Sequence, residues 1–314
     1  MTLFAAALIA AGCQAPASES PDAAADAPVR TAAAVEATPA EAITDRAYLT
    51  QPLWNDGQAE IAFYQVERTQ NQYGRPAPQS FLAGTYVVKH RFDAETMSKT
   101  TTGGGTPAFK YSLFYEFESG SYEYKRAWVV NAAQADLAPI KASFTSFDWC
   151  SNLYREQAFQ PDGSVASLMR SDDYGNTAAT YDYAAGAHPI HTLPMLVRAL
   201  DFSDGASKSF QVVTLDGTYV DVTAEMAGTE TMQTDAGPME TEKITLRYAG
   251  EVRSLIGETA DSVEHYYRGT DDARLLVGLV ADSERYRMTL VEHIRSPYWS
   301  ENLYPKLQRV DARP

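Results

Sequence analysis

From Ala59 to Ile294, apolar and polar residues alternate over short runs rich in Val, Ile, Thr, Tyr and Phe, and turn-forming residues break the runs. That pattern belongs to a meandering antiparallel sheet with one buried face. It predicts strands over Ala59–Val66, Phe81–Arg91, Phe109–Glu118, Ser121–Val130, Ile140–Cys150, Ser164–Arg170 and Thr177–Tyr183. The second half adds Ser209–Leu215, Thr218–Met226, Glu240–Tyr248, Val263–Arg268, Arg274–Ala281 and Arg285–Ile294. Turn signals stand at Ser119-Gly120, Asp162-Gly163, Asp204-Gly205 and Asp216-Gly217. Helix is scarce. His191 to Leu200 carries Leu193, Leu196, Val197 and Leu200 at helical spacing, with Pro194 in the first turn, and Ala40–Leu49 offers a second short helix. The expected fold class is all-β with one or two short helices. A curved antiparallel sheet would form a half-barrel or barrel-like domain, with one helix across its concave side.

The hairpin from Phe109 to Val130 is the most informative. A two-residue Ser119-Gly120 turn sets Phe117 opposite Tyr122, Tyr115 opposite Tyr124 and Tyr111 opposite Trp128. All these rings share one face, whereas Phe114–Lys125 and Glu116–Glu123 share the other. A one-residue slip would set the rings against Ser121, Glu123, Lys125 and Ala127, so the first register should win. One face becomes an aromatic wall and the other faces water.

Composition changes the picture at the N-terminus. An apolar run, Leu3 to Ala11, ends in small residues before Gly12-Cys13. This resembles the lipobox of bacterial lipoproteins, although no Lys or Arg precedes the run and Ala10 stands where Leu is usual. The resemblance implies acyl chains, palmitate among them, on Cys13. It also implies a bacterial envelope location, in the outer membrane facing the periplasm. The run is far short of the ~20 residues a spanning helix needs. Residues 14–45 are Ala, Pro, Ser, Thr and acids, a composition that cannot offset its ordering entropy and reads as a disordered tether. The organisation expected is a signal over 1–13, a tether over 14–45 and one β-rich body over 46–314.

The chain's 314 residues carry a net charge of −15, and the tether holds five of those charges, leaving the body at −10. An acidic body excludes the basic footprint that nucleic acid requires. With Cys13 acylated, Cys150 has no cysteine partner.

Candidate chemistry is sparse. Leu53-Trp54-Asn55-Asp56-Gly57 reads first as a turn, with Asn55 or Asp56 bonding backbone, Gly57 at positive φ and Trp54 plugging the sheet; its alternative is a binding rim. Cys150 has Asp148, Trp149 and Ser151 as neighbours, no base among them, and reads as a buried thiol. His188-Pro189-Ile190-His191 lacks a helix to align its imidazoles on a metal, and Ser171-Asp172-Asp173-Tyr174-Gly175-Asn176 lacks calcium-loop spacing and reads as a solvated turn. No Gly-x-Ser-x-Gly elbow is present, and no metal, cofactor or catalytic residue is assigned.

Two further stretches carry a resemblance. Leu53-Trp54-Asn55-Asp56-Gly57-Gln58-Ala59-Glu60-Ile61, running on to Tyr73-Gly74, resembles the opening of a family of uncharacterised bacterial secreted proteins, and Asp148-Trp149-Cys150 resembles that family's Trp-Cys signature. Gly228-Thr229-Glu230 through Thr234–Thr241, with Asp136–Ile140, is similar to periplasmic domains of unknown function distantly like the half-barrel of lipoprotein carriers. Neither family has known catalytic residues. The resemblance implies a half-barrel with an apolar cavity. The function expected is therefore binding, not catalysis: an apolar or lipid-like ligand held by Trp54, Tyr111, Tyr115, Trp128 and Trp149. The alternative is an accessory subunit of an envelope complex, and an extracytoplasmic hydrolase ranks last.

Overall fold

The computed structural model describes residues 43–72, 75–101, 103–119, 122–149, 151–256 and 262–297, with the side chains of 70–75 set aside. Cys13, Cys150, Gly120 and nearly all of the tether lie outside these residues. The body is all-β as the alternation predicts: 64% strand and 8% helix, in one large curved antiparallel sheet that does not close into a barrel.

The first half runs β1 (Ala59–Gln72), β2 (Arg75–Asp93), β3 (Ser98–Thr100), β4 (Thr106–Ser119), β5 (Tyr122–Ala133), β6 (Pro139–Phe147), β7 (Asn152–Phe159), β8 (Ser164–Ser171) and β9 (Thr177–Asp182). The second runs β10 (His188–Pro189), β11 (Ser207–Val213), β12 (Tyr219–Thr234), β13 (Gly237–Tyr248), β14 (Val263–Gly269), β15 (Leu276–Ala281) and β16 (Tyr286–Ser296). Each half pairs in chain order except for β3, which hangs on β2 alone. The halves join where β1 lies antiparallel to β16, from Ala59↔Ser296 to Arg68↔Tyr286. Only β10 and β11 pair in parallel among the described strands. The sheet's borders, β9 and β10, are consecutive in the chain. Gln157 bridges toward closure, donating 2.7 Å bonds to the Tyr181 hydroxyl and to the Thr214 carbonyl across the gap.

Two helical pieces pack against the sheet at one end. Asp45 caps α1 (Arg46–Leu49) through its carboxylate. A 3-10 turn over Ile190–Thr192 leads into α2 (Leu193–Ala199), every residue of which is buried, on the concave side. The packed body starts earlier than 46: Ile43 is buried, Thr44 bridges to Leu200, and the Asp45 amide donates to Ala199. These three residues of the expected 14–45 tether thus pack with the body.

The β4–β5 register corrects the sequence expectation by two residues. Phe117 faces Tyr124, Tyr115 faces Arg126, Leu113 faces Trp128 and Tyr111 faces Val130. The ladder closes on Ser119↔Tyr122, whereas the expected register paired Ser121 as well. An even shift leaves the aromatic face unchanged, so hydrophobicity cannot discriminate the two registers. Each register holds one Glu–Glu pair, Glu118–Glu123 here and Glu116–Glu123 in the expectation, but the observed one adds Glu116 opposite Lys125, with a 3.1 Å ion pair.

Strand β7 and the far half of the β12–β13 hairpin were not anticipated. Beyond a bulge at Met226/Gly228 that hairpin continues to Thr234↔Gly237, and the Met232 side chain covers Gly278 on the outer face of β15. A methyl group at 278 would collide with the Met232 thioether, which must swing aside. Gly278→Ala is therefore expected to loosen the arm where Met232 covers β15, read as faster proteolysis between 227 and 240 with the melting temperature shifted by only a few degrees. Unchanged cleavage would show that the arm is held elsewhere.

Candidate functional site

Side chains alternate across each strand, so β1 turns Ala62, Tyr64, Val66 and Arg68 inward, and β4 turns Tyr111, Leu113, Tyr115 and Phe117 inward. Phe81 stacks on Tyr115 at 5.3 Å, and Phe117 on Tyr124 at 5.2 Å. Trp128 continues the row from β5. The aromatic wall expected from the sequence thus exists on the concave face.

Two covers lie over it. The turn before α2 sets His191 flat on Trp128 with centroids 3.5 Å apart, and Phe144 approaches the same indole at 3.9 Å. Further along, the β13–β14 connection places Val252, Leu255 and Ile256 in the same core, and the Ile256 carbonyl accepts from Arg68 Nη1. The wall around Trp128 is therefore packed core, not an open cavity.

Charged groups pin the first cover. Arg198, on α2, grips Glu60 of β1 with both terminal nitrogens, at 2.6 and 2.8 Å, and Nη2 also donates to the Ala273 carbonyl. Both side chains are 3% exposed. Burial alone would raise the Glu60 carboxyl, but the charge and hydrogen bonds of Arg198, with His293 and Arg295 behind, outweigh it and hold the group below its ordinary range. Arg268 of β14 reaches the C-terminal end of α2, where Nη1 donates to the carbonyls of Val197, Arg198 and Leu200 at 2.9–3.2 Å. A cation at a helix C-terminus satisfies carbonyls that have no intrahelical donor. Under the second region, the Glu264 carboxylate accepts from the hydroxyls of Tyr248, Tyr266 and Tyr286 at 2.6, 3.1 and 2.6 Å. Burial first, and the Glu264 charge next, push the Tyr248 hydroxyl well above its ordinary pKa.

Between wall and covers the polar accounting fails. The Tyr111 and Tyr115 hydroxyls and Trp128 Nε1 are buried on the wall with no hydrogen-bond partner, and His191 Nε2, Thr192 Oγ1 and Ser254 Oγ are in the same condition on the covers. Buried polar atoms without partners are rare in folded proteins, and each costs about 1–3 kcal/mol. Six of them line this seam, while others, such as Ser112 Oγ and Arg155 Nε, lie elsewhere in the body.

The sequence candidates separate on this geometry. Tyr111, Tyr115 and Trp128 line the wall. Trp54 lies at its foot, buried, edge-on to Phe109 at 5.2 Å, with Nε1 donating to the Tyr48 carbonyl and Arg198 5.3 Å from its ring. Its surroundings form the turn read from the sequence: Asn55 Nδ2 bonds the Gln51 carbonyl, Asp56 Oδ1 takes the Gln58 amide, and Gly57 has φ 75°. Trp149 does not join them. It is 76% exposed in the β6–β7 turn, beyond the end of the strand, where Tyr122 meets it edge-on. His188 and His191 diverge, the first edge-on to Phe210. Among the described residues no three His, Cys, Asp or Glu side chains group as metal ligands, and no helix is long and apolar enough to cross a membrane.

Sequence reasoning missed Glu60, Arg198 and His191 as parts of this site. Arg198 carried a signal, being the lone charge in the apolar segment Leu193–Leu200. In a groove of about 500 Å3 on the outer face, under Met232 and Gln233, cations are already engaged: Arg287 with Glu67, and Arg285 Nε with Ser283 Oγ. Comparison of the chain with protein-family models, with curated proteins and with solved structures finds no match.

Proposed function

We propose that the body binds an amphipathic, lipid-like ligand, an acyl chain with a hydrogen-bonding group, between the aromatic concave wall and its two covers. The observation that carries this reading is the seam of unpartnered polar atoms. A ligand with an apolar body would take up the contacts α2 and the 249–256 segment now make, and its polar group would satisfy the Tyr111 and Tyr115 hydroxyls or Trp128 Nε1. The resemblance of the second half to carrier half-barrels points the same way. In this reading Cys13, once acylated, holds the body to the envelope membrane; palmitate labelling lost in Cys13→Ser tests that part separately.

Native mass spectrometry of the Cys13→Ser chain, which carries no anchor, purified from a periplasm without detergent, is expected to show a stoichiometric added mass that organic solvent releases as lipid. Delipidated protein should change its Trp fluorescence when a fatty-acid probe is added. A bare mass together with unmoved fluorescence at probe saturation sinks the reading. The seam makes a second prediction. Tyr115→Phe removes an unsatisfied hydroxyl and should leave the free protein as stable, or up to about 1 kcal/mol more stable, while weakening ligand binding. Loss of stability in Tyr115→Phe would mean the hydroxyl already has a partner.

A further inference from the structure

Of the large hydrophobic side chains exposed among the described residues, Phe147 (47%), Trp149 (76%) and Tyr174 (70%) lie along one rim, and only Phe114 lies elsewhere. The rim follows from the meander. Strands β4 to β9 alternate in direction, so the turns β4–β5, β6–β7 and β8–β9 fall at the same end of the sheet. Neighbouring turns touch: Tyr122 meets Trp149 edge-on at 6.5 Å, and Asp172 Oδ2 accepts from the Asn152 amide at 3.0 Å. These rings stand on built turns. Ser171 Oγ takes the amides of Asp173 and Tyr174 at 3.2 and 3.0 Å, and Asp148 Oδ1 takes the Ser151 amide at 2.9 Å.

The charge around the rings is mainly negative. Glu116, Glu118, Glu123, Asp148, Asp172 and Asp173 are interleaved with them, against Lys125 and Arg170. Lys125 is already shared between Glu116 at 3.1 Å and Glu123 at 3.6 Å. Glu118 sits directly opposite Glu123, a like-charge cross-strand pair that disfavours the sheet by itself. Exposed aromatics ringed by acids match the anatomy of a protein-binding patch: rings as anchors, charges setting the partner's sign. We propose that this rim docks a cationic protein segment, whose Lys or Arg side chains lie over Trp149 and Tyr174 and pair with Glu118, Asp172 and Asp173. A bilayer fits less well, because this much negative charge repels anionic headgroups.

The test is fluorescence anisotropy of a labelled oligo-arginine peptide titrated with the full chain at low salt. Binding is expected, weakening with salt, and falling roughly tenfold or more both in Trp149→Ala/Tyr174→Ala and in Glu118→Gln/Asp173→Asn. All four positions are on the surface, so circular dichroism and melting should be unchanged. Three outcomes overturn the proposal. The first is no binding at low salt. The second is equal binding by the variants, which would reduce the effect to diffuse attraction by an acidic protein. The third is binding to phosphatidylcholine vesicles but not to the peptide, lost in the Trp149 variant, which would make the rim a membrane contact.

Discussion

Glu60→Ala is expected to destabilise the protein by about 3–5 kcal/mol, the cost of leaving one member of a buried ion pair alone. Arg198 would keep its bond to the Ala273 carbonyl but lose both carboxylate contacts inside the core. The effect should exceed simple deletion of the pair. In Glu60→Leu/Arg198→Met no charge is left uncompensated, and much of the lost stability should return. Urea unfolding of the two variants gives the comparison. A single variant no worse than the double would mean that water compensates Arg198, since Arg295, whose Nη1 lies 3.9 Å from Glu60, is a second cation and cannot. Because Arg198 belongs to α2, the single variant should also loosen the cover over Trp128. Faster amide exchange across Leu193–Leu200 than across β1 would register that.

Acidification below neutral pH should weaken the fold before any carboxylate titrates. Burial pushes the His188 imidazole down to about 4, and burial pushes His191 well below its ordinary value. Both are neutral in the folded protein at pH 7, whereas in the unfolded chain they take up protons near pH 6.5. With the folded pKa depressed, the stabilising contribution is complete above about 6.5 and is lost as pH falls toward the folded pKa. Each histidine contributes a slope of up to about 1.4 kcal/mol per pH unit inside that window. Glu60 has the same sign of dependence but a lower window, starting near its unfolded pKa of about 4.3. Urea midpoints at pH 7, 6 and 5 should therefore decline steadily. His191→Phe keeps a ring on Trp128 without a titrating group and should flatten the decline by about one proton. A midpoint independent of pH from 7 to 5 would refute the assignment.

What the sequence disclosed depended on whether a residue's neighbour along the chain or across the fold decided its role. The alternation of Tyr111, Leu113, Tyr115 and Phe117 is local, and so were the face of β4, the Trp54 turn and the buried helix at Leu193. Strand β7 escaped because it turns Leu153, Arg155 and Gln157 inward, and Gln157 is buried only because Tyr181 and Thr214 bond it from distant strands. The arm escaped because Thr229, Glu230, Thr231, Gln233 and Thr234 are polar on both faces. The two-residue register error lay beyond hydrophobic reasoning, since both registers keep the same wall. For the candidate site, the wall was visible and the cover was not. Nothing local says that His191 will lie on Trp128, 63 residues earlier in the chain.

The ordering of strands in the sheet has a consequence for biosynthesis. The middle of the chain makes both borders, and the first and last strands meet in the centre. Strands β1 to β9 can zip together as they emerge, each beside its predecessor. Strand β1 then waits with a bare edge bearing Ile61, Phe63 and Tyr64 until β16, the last described strand, has been made. At ordinary elongation rates the remaining hundred or so residues take on the order of 10 s. An unpaired apolar edge held open that long invites pairing with another nascent chain. Safe production of this protein should therefore depend on a holding chaperone for the first half, or on export of the chain unfolded.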